Sequence, residues 1–136
     1  MQKLNIQIPF DTKLSKNRAK TLLGRGTRKW IGLTSTYRTL IAQNIQFVKA
    51  QVTEELKFNP KEKVHLAITV FKPNNRCDAI NFIDAVADII KEVIGVDDRY
   101  YALSLDWFIS EEPNIQIRIT QANEDGINED SNSDFQ

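Results

Sequence analysis

The feature that most constrains the fold of this 136-residue chain is a short apolar run followed by a strongly amphipathic one. The run VHLAITVF, from Val64 to Phe71, is rich in β-branched residues and predicts a central strand. A helix is then predicted from Asp78 or Ala79 up to Gly95, a residue type that favours helix C-termini. Its apolar stripe at helical spacing consists of Ile80, Ile83, Ala87, Ile90 and Ile94.

Further elements flank this strand and helix. KLNIQI, from Lys3 to Ile8, alternates apolar and polar residues and predicts a strand that Pro9 ends. A second helix is predicted from Ser35 to about Leu56, with Thr34 or Ser35 as the N-cap. RYYALSLDWFI and NIQIRIT predict two strands, and the turn SEEPN between them favours an antiparallel hairpin.

The resulting order, β-α-β-α-β-β, predicts an α+β domain with both helices packed on one face of a mostly antiparallel or mixed sheet. The polar, glycine-containing segment 11–29 is interpreted as a loop or mobile arm. Residues 1–121 are expected to form one domain. Residues 122–136 are almost devoid of apolar side chains and are expected to be a disordered acidic tail.

Charge is distributed unevenly along the chain, although 18 basic and 18 acidic residues give a formal net charge of zero. Segment 11–30 contains seven basic residues, Lys13, Lys16, Arg18, Lys20, Arg25, Arg28 and Lys29, against the single acid Asp11. The middle of the chain is acidic, with Asp78, Asp84, Asp88, Glu92, Asp97 and Asp98. This asymmetry indicates a basic arm that could bind phosphates and an acidic centre with another role.

Composition excludes several classes of site. Cys77 and His65 are each the only residue of their type, so neither a disulfide framework nor a Cys or His metal site is expected. No apolar run is long enough for a membrane span, and the N-terminus lacks the apolar stretch of a signal peptide. A cytoplasmic protein without membrane partners is expected.

The acidic centre has a structural and a functional interpretation. Asp78 could cap a helix, Asp97 and Asp98 could belong to a turn, and the other acids could form a solvated helix edge. Like charges at i,i+4 destabilise a helix, however, and a divalent cation would compensate for that cost. Mg²⁺ prefers oxygen ligands and is usually held by one or two carboxylates, waters and phosphate oxygens.

Two motifs resemble the RusA-type Holliday junction resolvases of bacteria and their phages. FKPNNRCDAINFIDAVADIIKEVIGVDDRYY is similar to that family's Asp-rich helix start, helix and Asp-Asp turn, with matches at Asp78, Asn81, Asp88, Asp97 and Asp98. IPFDTKLSKNRA is similar to its opening strand and Ser-x-Asn-Arg stretch, at Ser15, Asn17 and Arg18. The resemblance covers roughly residues 3 to 120.

The resemblance implies a homodimer that binds branched, four-way DNA and makes paired nicks with Mg²⁺, or with Mn²⁺ in its place, as the cofactor. It implies catalytic roles for Asp78 and Asp98 and an orienting role for Asn81. Asp84 is added to the catalytic candidates because helical spacing places it beside Asn81. The implied metal ligands are Asp78, Asp98, Asp97 and Asp88. The implied contacts to DNA phosphates are Lys13, Lys16, Asn17, Arg18, Arg25, Arg28 and Lys29.

Two positions depart from the family pattern. Ile80 replaces a carboxylate, and Asp84 stands where the family has a lysine. Asp84 is expected to supply the missing carboxylate. Two alternatives stay open: a catalytically inactive RusA-like DNA-binding accessory protein, and a protein-interaction module whose acidic tail binds a basic partner.

Overall fold

The computed structural model describes residues 2–16, 20–25 and 28–122. Eight regular elements lie in this part of the chain, and three short 3₁₀ helices, Thr12–Leu14, Ala79–Phe82 and Asp98–Tyr100, lie between them. The strands and helices are β1 (Gln2–Pro9), β2 (Lys20–Arg25), β3 (Arg28–Leu33), α1 (Ser35–Gln51), β4 (Val64–Lys72), α2 (Ile83–Ile94), β5 (Tyr101–Ile109) and β6 (Asn114–Gln121).

The main sheet has four strands in the order β1-β6-β4-β5. β6 is antiparallel to both β1 and β4, whereas β5 is parallel to β4. The parallel pair is connected through α2, because parallel neighbours require a long crossover. The sheet is therefore mixed, and the α+β class expected from the sequence is confirmed.

One face of the sheet forms the core. Alternate residues of β4 are buried, and the register places Ile68 beside Ile117, which in turn pairs with Ile6. Facing them are the buried side chains of α2, including Phe82 just before it and Ile89 and Ile90 within it. The period-two pattern of the strands and the helical period of α2 thus meet on a single apolar layer.

Helix α1 begins as predicted and ends earlier than predicted. The Thr34 hydroxyl accepts a hydrogen bond from the backbone N–H of Tyr37 at 3.0 Å, which confirms it as the N-cap. The helix ends at Gln51 and not near Leu56, because Val52 is already extended. The following segment is tied to β1 instead, with the N–H of Lys57 donating to the Gln2 side chain at 3.0 Å.

The interpretation of segment 11–29 as a loop or mobile arm is wrong for most of its length. Thr12–Leu14 is a 3₁₀ helix with Asp11 as its N-cap, and β2 and β3 form an antiparallel hairpin in which Arg25 pairs with Arg28. The charges and glycines of this segment hid two short runs of strand-forming residues, TLL and KWI.

The predicted hairpin of the last two strands is also wrong. β5 and β6 are not neighbours, because β4 lies between them. The connecting residues pass the end of β4, where the N–H of Ser110 donates to the Lys72 carbonyl at 2.9 Å. A short polar turn between two strand patterns favours a hairpin, but here the crossover through α2 places β5 on the far side of β4.

The apolar stripe predicted for the helix that ends at Gly95 is partly wrong, because its first turn faces a different direction from the one expected. Its first turn is the 3₁₀ helix Ala79–Phe82, which has three residues per turn, and this leaves Ile80 64% exposed. The buried positions on α2 include Ala85, Val86, Ile89 and Ile90. Gly95 ends the helix with φ of 71°, as predicted.

Across residues 2–16, 20–25 and 28–122, no helix is long and apolar enough to cross a membrane. The predicted acidic tail lies outside the described residues, apart from Ala122.

Candidate functional site

One end of the main sheet brings together segments that are distant in sequence. β1 and β4 run in the same direction because each is antiparallel to β6, so Pro9 and Phe71 both pair with Asn114. Phe10, just after β1, packs against Phe82 with ring centroids 5.0 Å apart. We call this end, where β1 and β4 finish, the carboxyl end of the sheet. The basic segment that starts at residue 11 and the loop that carries Asp78 both leave from it.

Lys72, the last residue of β4, organises the loop that leads to Asp78. Its side chain is only 3% exposed and donates to the Cys77 carbonyl at 2.8 Å and to the Asn75 side chain at 3.0 Å. The ammonium also lies 4.0 Å from the centre of the Trp107 ring. A buried ammonium with two acceptors and an aromatic face is a well-satisfied cation. It holds the chain immediately before Asp78 in place.

Asp78 occupies the N-cap position of the 3₁₀ helix Ala79–Phe82, yet its side chain makes no capping hydrogen bond. Its backbone carbonyl accepts from the N–H of Asn81 at 3.1 Å, so the backbone closes the turn by itself. The carboxylate is exposed, and the described part of the chain places no cation or donor against it. The capping interpretation of this carboxylate is therefore not supported, while Asn81 lies half-buried one turn away.

Asp84 and Asp88 lie one turn apart on the exposed side of α2, facing α1. The Tyr37 hydroxyl donates to Asp88 at 2.9 Å, and the negative charges of Asp88 and Asp84 both act on that phenol. Burial, the hydrogen bond and these charges raise the pKa of Tyr37 well above its usual range. Asp84 lies in the first turn of α2, where the helix dipole favours an acid. Structural roles thus account for part of the acidic crowding.

Asp97 and Asp98 lie at the other end of α2, before β5. The Asp97 carboxylate is 3.4 Å from the Lys91 ammonium and 3.5 Å from the Arg99 guanidinium. A hydrogen bond with the Asp98 side chain, followed by the effect of Lys91, lowers the pKa of Asp97 below its ordinary value. Burial, and then the charges of Asp98 and Asp97, raise the pKa of Tyr101. This group is a paired carboxylate cluster on the surface.

The structure therefore divides the candidate acids into three places within one chain. Asp78 is at the carboxyl end of the sheet, Asp84 and Asp88 are along α2, and the Asp97–Asp98 pair is beyond the helix C-terminus. The twelve-residue helix α2, which is about 18 Å long, lies between the first place and the last. Within the described residues, no group of three or more His, Cys, Asp or Glu side chains is close enough to share a metal ion.

A magnesium ion nevertheless requires few protein ligands. One or two carboxylates, completed by water and phosphate oxygens, are its usual environment. The exposed carboxylate of Asp78, which has no partner among the described residues, fits that chemistry. Asp98 offers a second carboxylate beside Asp97, which is ion-paired with Lys91 and Arg99. Within one chain, Asp78 and the Asp97–Asp98 pair are too far apart to bind the same ion.

The candidate DNA-binding residues are only partly described. Lys13, within the 3₁₀ helix Thr12–Leu14, and Lys16, just after it, are exposed, and Leu14 anchors this helix in the core. Asn17 and Arg18 lie outside the described residues. The backbone pairing of β2 with β3 places Arg25, Arg28 and Lys29 at the turn end of that hairpin. The position of Lys13 and Lys16 after β1 puts them at the same end of the sheet as Asp78.

Two residues with a role in this region were missed in the sequence. Lys72 occupies a core-facing position in the alternating pattern of β4, which is unusual for lysine and could have marked it. Tyr37 looked like an ordinary member of an apolar helix stripe, and no local signal connects it to Asp88, 51 residues away.

No protein-family model matches this chain, and a search of curated proteins found no significant match.

Proposed function

We propose that this protein is a RusA-like endodeoxyribonuclease that resolves four-way DNA junctions by metal-dependent nicking, acting as a homodimer in the cytoplasm of a bacterial or phage-infected cell. The observation that carries the proposal is the juxtaposition at the carboxyl end of the sheet. Asp78, an exposed carboxylate with no partner in residues 2–16, 20–25 and 28–122, lies at the end where Lys13 and Lys16 begin the basic segment. A nuclease needs both an anionic metal ligand and cations for phosphate.

Each group has a role in this proposal. Asp78 and Asp98 would hold Mg²⁺ or Mn²⁺, with Asp97, Asp84 and Asp88 as further carboxylates, and Asn81 would orient a ligand. The bound ion would supply charge neutralisation and an activated water for phosphodiester hydrolysis. Lys72 positions the Asp78 loop through its bonds to Cys77 and Asn75.

The basic residues act on the phosphate backbone and not on base sequence. Lys13 and Lys16 lie at the same end of the sheet as Asp78, and the proposal adds Arg25, Arg28 and Lys29 from the end of the hairpin. Asn17 and Arg18 complete the set that the family resemblance implies. Contacts of this kind fix the position of a DNA substrate and make its affinity fall with salt concentration.

A second candidate function is a catalytically inactive DNA-binding accessory protein on the same fold. The separation of Asp78 from Asp97 and Asp98 within one chain favours it, as does the replacement of a family carboxylate by exposed Ile80. Both functions predict junction binding, and only the nuclease predicts cutting.

The test is incubation of a labelled synthetic four-way junction with the wild type in Mg²⁺ and in excess chelator. The wild type is expected to nick the junction only in Mg²⁺. Asp78→Asn is expected to bind the junction and to cut at least about a hundredfold more slowly, because a neutral amide replaces an anionic ligand.

Glu92→Gln is the matched control, because Glu92 is an exposed acid on α2 with no assigned role. It is expected to cut like the wild type. Junction binding without metal-dependent cutting by the wild type would favour the accessory protein, and equal cutting by Asp78→Asn would remove Asp78 from the site.

A further inference from the structure

Exposed apolar side chains are concentrated on β5, one of the two edge strands of the main sheet. Leu103, Trp107, Phe108 and Ile109 are between 44% and 56% exposed. Ile80, 64% exposed, belongs to the 3₁₀ helix that packs against the same strand. The only charged residue of β5 is Asp106. Edge strands that lack lysine, proline and bulges are templates for pairing with another strand.

The direction of the backbone groups shows which residues of β5 are free to pair. Ser110 donates its N–H to Lys72 of β4, so alternate residues before it point their backbone groups toward β4 as well. The intervening residues Leu103, Leu105, Trp107 and Ile109 therefore point theirs outward. The N–H of Trp107 donates at 2.8 Å to the side chain of its own neighbour, Asp106, which agrees with this assignment.

The opposite edge of the sheet is protected. On β1, the Gln51 side chain accepts from the N–H of Gln7 at 2.9 Å and donates to its carbonyl at 2.7 Å. The Gln2 side chain likewise accepts from the N–H of Lys57. Among the described residues, β5 has no such cover from another element. Within the described part of the chain, one edge is covered at Gln7 by Gln51, and the other presents an apolar surface whose outward backbone groups pair with no other element.

We propose that a second copy of this chain pairs along the open edge of β5. The pairing is antiparallel about a two-fold axis at Leu105, the midpoint of Tyr101–Ile109, and joins two four-stranded sheets into one. Each outward N–H then donates to an outward carbonyl of the partner, and every such bond occurs twice about the axis, as an isologous interface requires. Leu103 lies opposite the partner's Trp107, and Tyr101 lies opposite the partner's Ile109.

Charge selects this register over its neighbours. With the axis at Leu105, the Asp106 carboxylate faces the partner's Ser104 hydroxyl, which can donate to it. With the axis at Asp106, the two carboxylates would lie directly opposite each other and repel. With the axis at Ser104, Asp106 would face the partner's Ala102 and have no donor, and fewer residues would pair.

This arrangement has a consequence that rests on the proposed function. In this antiparallel pairing, the start of β5, which follows Asp98, lies beside the end of the partner's β5. That end pairs with Lys72 of the same partner chain. Two strand spacings, about 10 Å, then separate that start from the end of the partner's β4. The axis is perpendicular to the sheet, so both groups stay on the helix-bearing side. Asp78 of one copy and the Asp97–Asp98 pair of the other thus lie at the same end of the joined sheet.

The first test is the mass in solution, measured by sedimentation equilibrium. The wild type is expected at about twice its chain mass of 15.6 kDa. Leu103→Lys is expected to shift the protein to a monomer with an unchanged circular dichroism spectrum. Phe47→Lys is the matched control, because Phe47 on α1 is equally exposed, at 48%, and lies away from β5. A monomeric wild type, or a dimer that Leu103→Lys leaves intact, would overturn the interface.

The second test is disulfide cross-linking in a Cys77→Ser background, which removes the native thiol. Residues on the axis have Cα atoms about 5.5 Å apart in a hydrogen-bonded antiparallel pair, within disulfide range. Leu105→Cys is therefore expected to form a covalent dimer faster than Asp106→Cys. The reverse order would overturn the register.

The third test asks whether the two copies share a site. Co-expressed Asp78→Asn and Asp98→Asn chains with different tags are purified as a heterodimer and titrated with Mn²⁺. One composite site is then intact, so half of the wild-type Mn²⁺ stoichiometry is expected, against none for either homodimeric variant. No binding by the heterodimer would overturn the composite site. Half-stoichiometric Mn²⁺ binding by the heterodimer, together with no junction nicking by the wild type, would support the composite site and reject the nuclease function.

Discussion

At the scale of single residues, the Tyr37–Asp88 hydrogen bond is the clearest side-chain link between the two helices. Tyr37 is 3% exposed, and its hydroxyl reaches a carboxylate on the surface of α2. An acceptor that carries charge makes this bond stronger than a neutral one. It also gives Asp88 a structural role that competes with metal ligation.

Tyr37→Phe is expected to lower the free energy of unfolding by about 1–2 kcal/mol, because the buried hydroxyl loses a bond to a charged acceptor. The measurement is urea denaturation of Tyr37→Phe, Asp88→Ala and the double variant. A coupling energy near zero in this cycle would show that the bond contributes nothing to stability.

The buried Tyr37 and the half-buried Tyr101 predict an alkaline limit to stability. The pKa values of Tyr37 and Tyr101 both lie above the ordinary 10.0, mainly because of burial. As the pH rises, the unfolded chain releases these protons before the folded chain does. The contribution of the two tyrosines to the free energy of unfolding is therefore complete below the ordinary tyrosine pKa and is lost as the pH rises toward the higher folded-state pKa values.

The urea midpoint is therefore expected to fall between about pH 9 and about pH 11, and to fall less in a Tyr37→Phe, Tyr101→Phe double variant. An identical fall in both proteins would assign the alkaline loss to other groups.

At the scale of elements, Gln51 explains why α1 ends where it does. Its side chain bonds both backbone groups of Gln7 and so completes the outer edge of β1. Helix spacing in the sequence continues past this residue, and no local pattern indicates that a glutamine closes a sheet edge. The end of the helix is set by this tertiary contact.

Gln51→Ala is expected to cost about 1 kcal/mol of unfolding free energy, since two exposed hydrogen bonds are lost. Gln46→Ala, on the same helix and exposed, is the control and is expected to change stability by less than about 0.5 kcal/mol. Equal effects of the two substitutions would assign the loss to helix propensity and not to the edge of β1.

The elements also show where prediction from sequence stops. Strands β1, β4 and the cap at Thr34 follow from local patterns, because alternation and capping are encoded within a few residues. The pairing of β5 with β4 depends on the crossover through α2, and a polar turn before β6 suggested a hairpin instead. Ile80 lost its place in the apolar stripe because a 3₁₀ turn changed the helical phase.

At the scale of the whole molecule, the candidate site could be predicted as a set of residues but not as a geometry. The sequence indicated which carboxylates and cations are clustered, because runs of like charge can be read directly along the chain. It did not indicate that α2 holds Asp78 and Asp98 apart, or that the edge of β5 offers a way to bring them together between two copies. Lys72, which holds the Asp78 loop, was visible only as a lysine in a core-facing strand position.

The central claim is that Asp78 contributes a ligand to a divalent-ion site, and Mn²⁺ affinity measured by electron paramagnetic resonance tests it most directly. Asp78→Asn is expected to weaken Mn²⁺ binding by about tenfold or more, while Glu92→Gln leaves it unchanged. Equal Mn²⁺ affinity in the wild type and Asp78→Asn would contradict the claim.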